Sequence, residues 1–149
     1  MLPIKRLYLV FIVVCASFVQ HLGWLSVLSI KPNIILALLA ALIFFTDDFI
    51  FYFILTASGL LFLKIEPMPD WPILVLAAVL LAGYWLARIL PWQKIFNLFL
   101  IIVGATVIFY AIISWQFIFS HSTLFVGEIL YNLILGLVFY YWLERVVKP

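Results

Sequence analysis

The sequence predicts an all-α fold: a polytopic membrane bundle of six transmembrane helices with short loops and both termini cytoplasmic. Three observations predict it. The 149 residues are 69% hydrophobic and 9% charged, against roughly 45–50% and about 25% in soluble domains. A core of this size has no room for so much apolar surface, so lipid must solvate much of it. The apolar residues also fall into six runs, at 7–28, 33–45, 49–63, 73–86, 95–119 and 124–143. Finally, the basic residues are shared unequally between alternate connections, as the positive-inside rule requires. A single domain over residues 1–149 is expected, with no internal repeat.

The first segment follows Lys5-Arg6 and passes through Cys15-Ala16-Ser17, which imitates a secretory signal with small residues near a cleavage point. The apolar stretch runs on to about Ile30, however, so a retained spanning helix is expected. Bulky Val14 before Cys15 argues against a lipoprotein signal.

The second and third segments are short, since a helix rising 1.5 Å per residue needs about 20 residues to cross roughly 30 Å. Only Thr46-Asp47-Asp48 separates them. They form either a hairpin of two short helices or one long helix with two aspartates at mid-membrane. Charge placement favours the hairpin. With six spans, Lys5, Arg6, Arg88, Lys94, Arg145 and Lys148 share the cytoplasmic side, and only Lys31 and Lys64 lie outside. Burying the aspartates would cost roughly 2.5–3.5 kcal/mol each.

Pro67, Pro69 and Pro72 make the connection from Lys64 to Pro72 an external loop before the fourth segment. Pro91 precedes the fifth segment, where its missing donor is harmless. Ser122 and Thr123 are candidate N-caps for the sixth. Under this topology Trp24, Trp71 and Trp115 fall near outer ends and Trp85, Trp92 and Trp142 near inner ends, where indole rings prefer to sit.

Several function classes are excluded. The formal charge of +2 is too small and dispersed for a nucleic-acid binder. The single cysteine, Cys15, permits neither an intramolecular disulfide nor a cysteine-based zinc site. No HExxH, GxGD or phosphate-cradling glycine loop is present, so no catalytic residue and no cofactor is assigned.

Polar groups inside apolar runs are therefore the informative ones. Glu128, Asn132 and Gly136 stand four apart and line one stripe of the last segment, with Tyr131 on its flank. Glu128 lies about 7 Å inside the outer end, and Gln20 and His21 lie about 10 Å inside the outer end of the first segment. The expectation is that the first and sixth helices approach, with Glu128 meeting Gln20 or His21. Glu128, Asn132, Tyr131, Gln20 and His21 are thus the candidate contacts, either between helices or with a partner or ligand. Asp47 and Asp48 read as caps at the start of the third helix rather than as a metal or pyrophosphate handle. Thr56-Ala57-Ser58-Gly59, Ala78 with Ala82, Gly104-Ala105 and Gly136 mark places of close helix approach.

The order of features resembles the MreD family, small bacterial inner-membrane subunits of the rod-shape (elongation) machinery. A first span ending in Trp24 is followed by Lys31-Pro32-Asn33, which opens the aliphatic run IILALLAALIFF. The third span holds Gly59-Leu60-Leu61, the fourth Leu81-Ala82-Gly83-Tyr84, and the last Glu128-Ile129-Leu130-Tyr131-Asn132. Where family members carry an acidic residue shortly after the third-span glycine, this chain has Phe62-Leu63-Lys64. The resemblance implies a non-catalytic scaffold in the bacterial inner membrane, bound to a bitopic MreC-like subunit and helping to organise cell-wall synthases. The family is similar in six-helix architecture to the substrate-binding S-components of energy-coupling-factor vitamin importers, which supplies the alternative expectation.

Overall fold

The computed structural model describes residues 3–23, 25–26, 30–63 and 70–147. Among the described residues the chain forms seven helices and no strand. They are α1 (Pro3–Leu22), α2 (Ile34–Leu42), α3 (Phe49–Leu63), α4 (Trp71–Ile89), α5 (Lys94–Ile113), α6 (Trp115–Ser120) and α7 (Ser122–Val147). Four stretches are long and apolar enough to cross a membrane: Ile4–Leu22, Trp71–Ile89, Lys94–Ile113 and Ser122–Val147. The helix α3 is apolar but has 15 residues. The nine residues of α2 make only about 13 Å of helix.

The second and third segments are separate helices, with Thr46-Asp47-Asp48 at the break. Other boundaries differ from expectation for local reasons. The first helix closes at Leu22 rather than continuing to 28, because Gly23 takes a φ of 66°. That left-handed conformation ends a helix and suits glycine. Trp24, Leu28, Lys148 and the expected loop from Lys64 to Pro69 lie outside the described residues. Pro72, expected in that loop, instead stands in the first turn of α4, where no helical donor is lost. The expected fifth segment, 95–119, is divided by Ser114, whose φ of −156° and ψ of 72° interrupt the helix. The short α6 that follows buries none of its residues. Ser122 and Thr123, expected as caps, are already helical; a bond from the Phe125 N–H to the His121 carbonyl opens α7.

The fold is organised around α2. Its sequence, IILALLAAL, is apolar on every side, and all nine residues are buried, as a helix without a polar face must be. It packs against α7 most extensively and also meets α1, α3, α4 and α5. Around it, α1 lies on α3, α4 on α5, and α5 on α7. Ser17 Oγ donates to the Gly59 carbonyl at 2.7 Å, tying α1 to α3. The outward faces carry large apolar side chains, among them Leu7, Phe11, Ile50, Leu61, Leu130 and Ile134. An apolar surface this extensive belongs against lipid rather than water.

One end of the bundle is closed by basic side chains. Arg88 Nη2 donates to the Thr46 carbonyl at 2.8 Å, and its guanidinium lies 3.9 Å from the Tyr84 ring centroid. Tyr84 Oη donates to the Asp47 carbonyl at 2.7 Å, and Lys5 Nζ donates to the Val147 carbonyl at 3.3 Å. Asp48 Oδ1 accepts from the Ile50 and Phe51 amides, while Oδ2 lies 3.3 Å from Arg6 Nη2. Asp48 alone therefore caps α3 with its side chain. The Asp47 carboxylate is fully exposed, 3.9 Å from Arg88. Replacing Asp48 by alanine is expected to lower stability by about 0.5–2 kcal/mol. Asp47→Ala should leave the melting temperature unchanged, and thermal unfolding of both variants in detergent checks the contrast.

Candidate functional site

The buried amino end of α2 presents amide groups that no preceding turn can satisfy. At a helix start packed against neighbouring helices, side chains can supply the acceptors. Three do. Asn33, the N-cap, accepts from the Leu36 amide through Oδ1 at 3.1 Å. Gln20 of α1 accepts from the Ile35 amide at 2.8 Å and donates to Asn33 Oδ1 at 3.3 Å. Asn132 of α7 accepts from the Asn33 amide at 2.7 Å. Its Nδ2 stands 3.5 Å from Thr106 Oγ1, and that hydroxyl donates to the Ile102 carbonyl within α5. Gln20, Asn33, Asn132 and Thr106 thus link α1, α2, α7 and α5 in one polar chain. Its members are short-range and mutually directed, which fixes how far α2 is inserted.

Glu128 lies one turn before Asn132, and its Oε2 accepts from Tyr110 Oη of α5 at 2.5 Å. Tyr110 is held in place by rings, stacked on Phe117 at 4.9 Å and edge-on to Phe125 at 5.7 Å. The expected meeting of Glu128 with Gln20 or His21 does not occur. Helix α2 lies between α1 and α7, so Gln20 reaches the α2 amides while Glu128 turns to α5. His21 Nδ1 is 3.3 Å from the Leu63 carbonyl of α3 instead.

Glu128, Asn132 and Gly136 do share one buried face of α7, as their spacing requires. At Gly136 that face comes so close to α5 that a Cβ would collide with Ile102 Cδ1. Asn132 is fully buried and directs both ends of its amide inward. For this residue the helix–helix contact is the role that the geometry carries. Tyr131 is half-buried beside the stripe.

Gln20, His21 and Glu128 nevertheless line a common space. A cavity of about 330 Å³ opens where α1, α2, α3, α5 and α7 converge, opposite the basic end. Ser26, Lys31, Asn33 and Tyr110 complete its polar lining. Sequence reasoning missed Tyr110, Lys31 and Thr106 as members of this region. The signal for Tyr110 was available: a phenol inside an apolar run needs a hydrogen-bond partner. Asn33 after Pro32, just before an apolar run, was likewise an N-cap signal. Among the described residues, no three His, Cys, Asp or Glu side chains converge to hold a metal ion. Comparison with protein-family models, curated proteins and solved structures finds no match to the chain.

Proposed function

We propose that the protein is a non-catalytic scaffold subunit of a bacterial inner membrane, resembling MreD and serving cell-shape determination and cell-wall elongation. In this reading the chain crosses the membrane six times, with α2 and its flanking turns as the second crossing and both termini cytoplasmic. The clustering of Lys5, Arg6 and Arg88 at the end opposite Lys31 supports that orientation. The second crossing needs no lipid-length helix, because neighbouring helices cover it on all sides.

The observation that carries the reading is where the polar side chains point. Gln20, Asn33, Asn132, Thr106, Tyr84 and Arg88 are directed at backbone or side-chain partners within the bundle. Chemistry arranged in this way fixes helix positions, which is what a scaffold for other membrane proteins requires. The partners by resemblance are an MreC-like bitopic subunit and cell-wall synthases.

A second reading is favoured by one observation, the cavity beside Glu128: a substrate-binding subunit of a small-molecule importer, similar to S-components. Affinity purification from native membranes separates the two. The scaffold reading expects the bitopic subunit and synthases, whereas recovery of a transmembrane coupling subunit with ATPases would replace it by the second. Glu128→Leu combined with Asn132→Leu should reduce partner recovery or folding several-fold. Loss of a catalytic turnover in that double variant would overturn the scaffold assignment.

A further inference from the structure

The cavity carries charges of both signs. Glu128 lines it with a carboxylate that is nearly buried, one oxygen of which is engaged by Tyr110. Lys31 lines it from the segment entering α2, with an exposed side chain. Among the described residues neither group makes an ion pair, with the other or with anything else. The other polar residues of the lining are committed elsewhere: Gln20 and Asn33 hold the α2 amides, Ser26 Oγ donates to the Gly23 carbonyl, and His21 Nδ1 is paired with the Leu63 carbonyl. The recognition groups left to a ligand are therefore Glu128 and Lys31, together with the aromatic side chains of Phe109 and Tyr110.

A carboxylate inside a membrane-embedded bundle is strongly stabilised by a cation, and the faces of aromatic rings attract ammonium groups as well. The cavity volume of about 330 Å³ matches the lower end of small-molecule sites, about 300–1,000 Å³. The geometry points to a binding site for a zwitterionic group, with an ammonium lodged against Glu128, Tyr110 and Phe109 and an attached anion facing Lys31. This goes beyond the scaffold reading and does not depend on it; it supplies the ligand chemistry that the importer reading leaves open. Two sources carry that chemistry: a free zwitterion entering from the aqueous end, or the headgroup of a phosphatidylethanolamine lipid entering from the side.

The test uses the full chain in phosphatidylglycerol nanodiscs, titrated by calorimetry with O-phosphoethanolamine and with ethyl phosphate, which lacks the amine. A second arm measures, by native mass spectrometry, retention of phosphatidylethanolamine against phosphatidylglycerol, with and without O-phosphoethanolamine as competitor. At least ten-fold preference for the amine-bearing probe or lipid is expected. Glu128→Gln, which keeps an acceptor for Tyr110, should erase that preference, and Lys31→Gln should weaken binding several-fold without altering the melting temperature. Preference for the soluble probe supports the site with a free zwitterion as its source. Preference for the lipid that the soluble probe fails to displace supports it with the headgroup. Equal binding of amine-bearing and amine-free probes in both arms overturns the proposal, as does a preference that survives both substitutions. Because the readout is on the isolated chain, failure to recover cell-wall partners from native membranes leaves it untouched.

Discussion

Asn132→Leu is expected to destabilise the bundle by roughly 1–3 kcal/mol, the range for leaving a buried polar group unpaired. Leucine has nearly the shape of asparagine, so the loss reports hydrogen bonding rather than packing. The two bonds of Asn132 are not equal. The long contact to Thr106, 3.5 Å, belongs to a class of interhelical side-chain bonds averaging about 0.6 kcal/mol in one membrane protein. The bond to the Asn33 amide, 2.7 Å, satisfies a backbone donor at a buried helix end, and such orphans are far costlier in lipid. Asn132→Asp keeps the acceptor and should lose less. Thermal unfolding in detergent, with hydrogen exchange at Asn33 to Leu36, checks both statements. A leucine variant with unchanged melting and unchanged exchange would show that α2 does not rely on this bond.

Gly136→Leu is expected to cost at least as much, roughly 1–3 kcal/mol or above, by overpacking the contact of α7 with α5 and α2. The space in front of Gly136 is filled by Ile102, which is itself fully buried, and the Ala37 carbonyl lies 4.0 Å from where a Cβ would stand. Alanine should be tolerated better, since the terminal methyl of Ile102 is able to rotate away. Leucine needs volume that only movement of α7 can provide. Combining Gly136→Leu with Ile102→Ala should recover much of the loss, because the two sites share one contact and their effects are then non-additive. Strict additivity of the two substitutions would place the strain elsewhere.

The polar stripe was legible because its signal is local. Glu128, Asn132 and Gly136 follow the helical repeat, and all three are buried on one face of α7. The break at Thr46-Asp47-Asp48 was legible for the same reason: two carboxylates together do not stay inside an apolar helix. Which of them capped α3 was not, since that depends on the direction in which the chain leaves Thr46. The end of α1 at Leu22 rested on the backbone angle of one glycine, inside a run whose hydropathy suggested continuation. The interruption at Ser114 was similarly hidden within apolar sequence.

Composition and spacing by themselves determined an all-helical chain with helices suited to lipid, and the approximate depth of each polar side chain along its helix. Depth follows from counting residues at a fixed rise, so Gln20, His21 and Glu128 were expected at similar depths, and all three line one cavity. The tertiary structure alone decided which helix stands beside which. Helices apolar on most sides carry little record of their rotation or neighbours, and the wholly apolar α2 carries none. Its insertion between α1 and α7 separated Glu128 from Gln20, gave each a different partner, and left both lining one open cavity.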